Sequence, residues 1–101
     1  MKANEEVGEL SQEVDVTIVS GPDCSACEHV KERLERLRSE FPPLRVSEVD
    51  IGSSEGTALA VRYRLGGLPG ILINGRMALV GDVPESLLRE RLALALRAAA
   101  V

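Results

Sequence analysis

Val14-Asp15-Val16-Thr17-Ile18-Val19-Ser20-Gly21-Pro22-Asp23-Cys24-Ser25-Ala26-Cys27 is the stretch on which the reading of this chain turns. Its first six residues are mostly β-branched and stop at Ser20-Gly21-Pro22, which predicts a strand ended by a turn. Beyond the turn, Ala26, Val30, Leu34, Leu37 and Phe41 step by four and three with charges between them. That spacing predicts an amphipathic helix ending at Pro42-Pro43. Its outer face offers Glu32 with Arg36 and Lys31 with Glu35 as pairs four apart, each worth a few tenths of a kcal/mol at about 0.2–0.5 kcal/mol. The two cysteines therefore sit where a strand turns into a helix.

That position gives them chemistry. Helical residues three apart bring their Cα atoms within about 5–6 Å, a separation a disulfide tolerates without backbone movement. Cys24, at the helix N-terminus, faces unsatisfied backbone N–H groups and the positive end of the helix dipole, which favour thiolate over thiol. It is the candidate nucleophile. Cys27, one turn further in, is the candidate resolving thiol, which attacks a mixed disulfide from within and closes the intramolecular bond. A Cys-x-x-Cys alone is a weak signal and becomes a strong one at such a turn in a βαβ context.

The rest of the chain supplies that context. Leu44 to Ile51 alternates Val46, Val49 and Ile51 with polar residues and predicts a second strand, with Ser53-Ser54 offering a helix cap. Ala58, Leu59, Val61 and Leu65 suit a short helix from Glu55 to Leu65, stopped by Gly66-Gly67. Ile71-Leu72-Ile73, then Asn74-Gly75, then Met77-Ala78-Leu79-Val80 predict a two-stranded antiparallel hairpin. A last helix starts near Pro84, with Leu88, Leu92, Ala95 and Leu96 as its buried stripe to about Ala99 and Asp82 as its cap. The order is β-α-β-α-β-β-α, an α/β domain over residues 14–101. Residues 1–13, acidic and with only Val7 and Leu10 as apolar anchors, read as a weakly docked arm.

On Gly21-Pro22-Asp23-Cys24-Ser25-Ala26-Cys27 after a strand, and Gly67-Leu68-Pro69-Gly70-Ile71-Leu72-Ile73-Asn74-Gly75 later, the chain resembles the thioredoxin-like superfamily, especially its small glutaredoxin-like members. The resemblance covers about residues 14 to 99. It implies a central mixed four-stranded sheet flanked by helices and thiol–disulfide exchange through Cys24 and Cys27. It also implies a cis Leu68-Pro69 bond against the cysteine pair, with the Leu68 backbone pairing with an extended client peptide. Disulfide-containing client proteins are the implied partners, with electrons from an upstream reductase or glutathione. The dithiol chemistry needs no metal or organic cofactor.

The departures from the family pattern carry information. Thioredoxins place a buried carboxylate six residues before the nucleophile, and that position here is Ile18. The residue after the second cysteine is commonly basic in relatives and is Glu28 here, four after Cys24 and so on its helix face. Asp23 adds a second acid beside the thiol. Both raise the thiol pKa and oppose the dipole, which favours a disulfide reductase over a strong oxidant. The aromatic and basic residues linked to glutathione binding are absent from the motif. His29, the single histidine, is placed on a solvated face, about 140° and 200° around the helix from the two thiols at roughly 100° per residue. Arg62, Arg64 and Arg76 read as solubilising charge.

Composition bounds the remaining alternatives. The chain has 101 residues, 45% hydrophobic and 28% charged, enough for one core. Twelve Lys and Arg against sixteen Asp and Glu give −4, and aromatic residues are 2%, so neither phosphate neutralisation nor base stacking is favoured and nucleic acid is not an expected partner. No apolar run approaches the ~18 residues of a membrane span. The acidic N-terminal stretch lacks a basic-then-apolar export pattern, and with two cysteines the expected location is the cytoplasm. Two other readings stand beside the exchanger. One is a soft-metal module binding Cu(I) or Zn(II) through the two thiolates, which requires a hairpin in place of the helix at 57–65. The other is a non-catalytic redox sensor or interaction domain on the same fold.

Overall fold

A computed structural model describes residues 13–42 and 44–100, with the side chains of 99 and 100 excepted. Of the N-terminal arm expected at residues 1–13, all but Glu13 lies outside the described residues. The elements are β1 (Val14–Ser20), α1 (Ser25–Leu37), β2 (Leu44–Asp50), α2 (Ser54–Tyr63), β3 (Gly70–Ile73), β4 (Arg76–Val80) and α3 (Glu85–Ala100). They form one four-stranded sheet in the order β2-β1-β3-β4. β1 runs parallel to β2, from Val14 opposite Leu44 to Ser20 opposite Asp50. It runs antiparallel to β3, from Val16 opposite Ile73 to Val19 opposite Gly70. β3 and β4 pair antiparallel, with an irregularity between Ile71 and Leu72.

The period of two along each strand divides the sheet into two faces. Val14, Val16, Ile18, Leu44, Ile71 and Ile73 pack with Val30, Leu34 and Leu37 of α1 and Leu88 and Leu92 of α3. Each fully buried aliphatic side chain of this cluster contributes about 1.5–3 kcal/mol. Val19 and Leu72, of opposite parity, are buried on the other face. α2 packs against β1 and β2, and Gly56 lets it approach β2 closely: a methyl group there would stand 1.9 Å from the Asp50 carbonyl oxygen.

Local chemistry explains the turns. Asn74 and Gly75 take φ of 52° and 79°, the two positive values a type I′ hairpin turn requires. Asn74 also completes the start of β1: its Oδ1 accepts from the Asp15 N–H at 2.9 Å, and its own N–H donates to the Asp15 carbonyl at 2.7 Å. The Tyr63 hydroxyl donates to the Gly75 carbonyl at 2.8 Å, tying the end of α2 to this turn. At the start of α2 the Ser53 Oγ accepts from the Gly56 N–H at 3.0 Å and caps the helix.

Three sequence expectations are corrected. α1 ends at Leu37, before Pro42, because Arg38 caps it and the Phe41 N–H turns back to the Leu37 carbonyl at 2.9 Å. Phe41 keeps the helical spacing by packing on the core from the turn. α2 ends at Tyr63, where Arg64 takes the left-handed conformation ahead of the glycines. The ion pairs on α1 are also different from those expected along the helix. Arg36 pairs with Glu85 of α3 at 2.9 Å and Lys31 with Glu48 of β2 at 3.1 Å, because neighbouring elements bring carboxylates within reach. No helix among the described residues is long and apolar enough to cross a membrane.

Candidate active site

The turn after β1 delivers Cys24 to the first position outside α1. Asp23 adopts φ 53°, a left-handed conformation that a short polar side chain tolerates. Cys24 is then the N-cap residue, with extended backbone, and its Sγ accepts from the Cys27 N–H at 3.0 Å. Sulfur here occupies the place a serine or aspartate oxygen usually takes. The Cα atoms of Cys24 and Cys27 are 5.2 Å apart and the two residues are joined by a disulfide. Cys27 is 1% exposed, whereas Cys24 is partly open to solvent. An open depression of about 650 Å³ surrounds Cys24, lined by Gly21, Pro22, Asp23, Ser25 and Glu28. Glu28, expected on the Cys24 face of the helix, is on it.

The segment before β3 closes on the same turn. The Leu68-Pro69 peptide is cis; Pro69 is buried and Leu68 partly exposed. Gly21 has no room for a side chain, since a methyl group there would lie 2.9 Å from Leu68 Cδ1 and 3.1 Å from Ile51 Cγ2. The loops after β1, after β2 and before β3 thus converge at one end of the sheet. The Gly81 N–H donates to the Pro69 carbonyl at 2.8 Å, which ties the loop after β4 to that group.

Asp82 does not cap α3 as expected. Its carboxylate is bound by Arg33, and His29 Nδ1 lies 3.2 Å away. Arg33 also donates to the Val83 carbonyl at 2.8 Å. Arg33 first, then His29, hold the Asp82 carboxyl below the ordinary range. His29 therefore fastens α1 to the loop after β4, a tertiary role its place on the helix face did not disclose. Ile18, where relatives carry an acid, is fully buried in the core. Arg62 stacks over the Tyr63 ring at 5.4 Å, Arg64 ends α2 and Arg76 begins β4; none lines the depression.

Sequence reasoning missed a polar chain beside the site. Ser20, the last residue of β1, donates its hydroxyl to Glu48 Oε2 at 2.5 Å. Lys31 Nζ lies 3.1 Å from the same oxygen and 2.9 Å from Glu28 Oε2. Ser20 first, then Lys31, lower the pKa of Glu48, and Glu28, then Glu48, raise that of Lys31. Parity offered the one available signal, since Ser20 and Glu48 fall on the α1 side of adjacent strands.

Among solved structures, the chain is similar to the thioredoxin of Fasciola hepatica, with a TM-score of 0.65 at 21% identity over 92% of this chain and 90% of that one. It is also similar to the oxidised form of mitochondrial thioredoxin 3 from Saccharomyces cerevisiae, with a TM-score of 0.63 at 17% identity over 90% of this chain and 88% of that one. The chain has the thioredoxin fold. No protein-family model and no curated protein matches the sequence. The likeness is one of architecture: a thioredoxin fold with the disulfide at the N-terminus of its first described helix. The helix at Ser54–Tyr63 stands where the soft-metal reading required a strand, so that reading fails by its own criterion.

Proposed function

We propose that the chain is a thiol–disulfide oxidoreductase working as a disulfide reductase, with Cys24 as nucleophile and Cys27 as resolving thiol. The observation that carries this reading is the asymmetry of the pair: Cys24 is partly exposed at a helix N-terminus and Cys27 is buried one turn behind it. The Cys24 thiolate attacks one sulfur of a client disulfide, the client S–S bond breaks, and the second client sulfur leaves and takes up a proton. Cys27 then gives up its proton and attacks Cys24 Sγ. The Cys24–client bond breaks, the Cys24–Cys27 disulfide forms, and the client has gained two electrons and two protons. An upstream reductase or glutathione restores the dithiol, in a compartment as reducing as the cytoplasm.

The Leu68 backbone, beside the Gly21 turn, is the proposed docking edge for an extended client segment, with Pro69 fixing its position. Asp23 supports the reductase direction, because negative charge beside the sulfur disfavours the thiolate and with it the reduced form; Glu28, paired with Lys31 at 2.9 Å, adds less. The test is a titration in graded dithiol buffers, scored by thiol alkylation and mass, together with turnover of a model disulfide. A reversible two-electron transition at about −200 to −290 mV, with turnover lost in Cys24→Ser, is the expected result. Thiols that never pair, or turnover that survives Cys24→Ser, would overturn the reading.

A further inference from the structure

Two carboxylates, Asp23 and Glu28, line the depression that holds Cys24. The Leu65-Gly66-Gly67-Leu68-Pro69-Gly70 segment beside that turn has no ionisable side chain. Among the described residues, the charged side chains lining the depression with the sulfur are those two acids, opposed by the positive end of α1. Among the described residues, Glu28 alone of the two has a counter-charge in an ion pair. Glu28 Oε2 lies 2.9 Å from Lys31 Nζ. Lys31 is not a wandering surface lysine: its ammonium also reaches both oxygens of Glu48, at 3.3 and 3.1 Å. Glu48 in turn accepts from the hydroxyl of Ser20, which is 5% exposed, at 2.5 Å. The Ser20 carbonyl is itself fixed by the Ile51 N–H at 2.7 Å. The chain Ser20–Glu48–Lys31–Glu28 thus runs from the rigid end of β1, across β2, to the rim of the cysteine site.

We propose that Lys31 is a positioning residue for the dithiol: held by Glu48, which Ser20 anchors, it draws in and neutralises the Glu28 carboxylate and thereby sets the thiolate fraction of Cys24. The functional meaning of this role rests on the thiol–disulfide reading, and its physics on the Lys31–Glu28 ion pair. Without Lys31, Glu28 is an uncompensated anion four residues along the same helix face as the sulfur, free to swing over it. The thiol is then harder to ionise and the reduced form less stabilised.

The test uses the reduced full chain and reads the Cys24 pKa from the pH dependence of alkylation, with mass analysis to assign the reacting cysteine. Lys31→Met is expected to raise that pKa by about 0.5 unit, a roughly threefold loss of thiolate below the midpoint. Lys31→Arg keeps the charge and is expected to stay near the parent value, and circular dichroism of each variant checks the fold. In a Glu28→Gln background, Lys31→Met is expected to have no further effect. At ~1 M salt the shift collapses, because the screening length falls to about 3 Å. A Lys31→Met pKa equal to the parent's would overturn the inference, as would the same shift persisting in the Glu28→Gln background. No client enters the measurement, so loss of disulfide turnover would count against the proposed function and leave this assignment standing.

Discussion

Gly56 invites opposite predictions from propensity and from packing, which makes Gly56→Ala a sharp test. In a helix, alanine is preferred to glycine by up to about 1 kcal/mol, and propensity alone calls for a more stable protein. The structure reverses the sign. Gly56 is buried in the first turn of α2, and an added methyl would lie 1.9 Å from the Asp50 carbonyl oxygen, 2.7 Å from its carbon and 2.9 Å from the Ile51 Cα. All three neighbours are backbone, so relief requires α2 to lift from β2, weakening the Ser53 cap and the contacts that hold that loop. Overpacking of this kind costs about 1–3 kcal/mol, and with the clash against backbone the upper part of that range wins over the propensity gain. A net loss near 2 kcal/mol lowers the melting temperature by roughly 8–16 °C in a domain of this size. Thermal and urea unfolding followed by circular dichroism measure it. Gly66→Ala, where nothing lies within 4 Å of the added methyl, serves as the control and is expected to change stability little. A Gly56→Ala protein as stable as the parent would refute the packing argument.

Cys27→Ser is expected to accumulate a mixed disulfide between Cys24 and a small model disulfide, visible by mass, whereas Cys24→Ser forms none; equal trapping by both variants would contradict the assigned roles. Asn74→Gly should lose only the bond to the Asp15 N–H, about 1 kcal/mol, while Asn74→Ala should lose a further ~1 kcal/mol because alanine has a Cβ without the polar group that lets asparagine tolerate φ of 52°; urea midpoints of the two variants separate the terms. The depressed pKa of Glu48 means its pairing stabilises the fold above the ordinary carboxylate range and is lost as pH falls through and below that range. Because the pair is partly exposed, the effect should stay within ~1 kcal/mol, and Glu48→Gln should flatten the acid limb of a stability-versus-pH profile. The raised pKa of Lys31 gives the mirror case: its contribution is present below the ordinary lysine range and drains as pH rises through and above that range, so Lys31→Met should flatten the alkaline limb.

The elements that were legible in the sequence are those whose signal is local. β1 is written in β-branched residues, and the hairpin in an Asn-Gly pair whose positive φ values few other residues adopt at low cost. The cysteine site was legible for the same reason, since both thiols lie within one turn of chain. Helix ends were less so: Phe41 prolonged the apolar spacing of α1 from outside the helix, and Arg64 took the terminating conformation that the sequence assigns to Gly66 and Gly67. Least visible were bonds whose partners are far apart in the chain. His29 and Arg33 meet Asp82, and Lys31 meets Glu48, only once the sheet has set the distance between α1 and its neighbours, and no periodicity encodes that distance.

The Tyr63–Gly75 bond has a spectroscopic meaning. The chain holds one tyrosine, one phenylalanine and no tryptophan, so its dominant ultraviolet emission comes from a phenol that is bonded to the hairpin turn and forms no part of the depression around Cys24. That emission reports whether α2 stays docked on the hairpin. Opening and closing of the Cys24–Cys27 bond is expected to leave that emission unchanged, so it has to be followed through the sulfurs themselves.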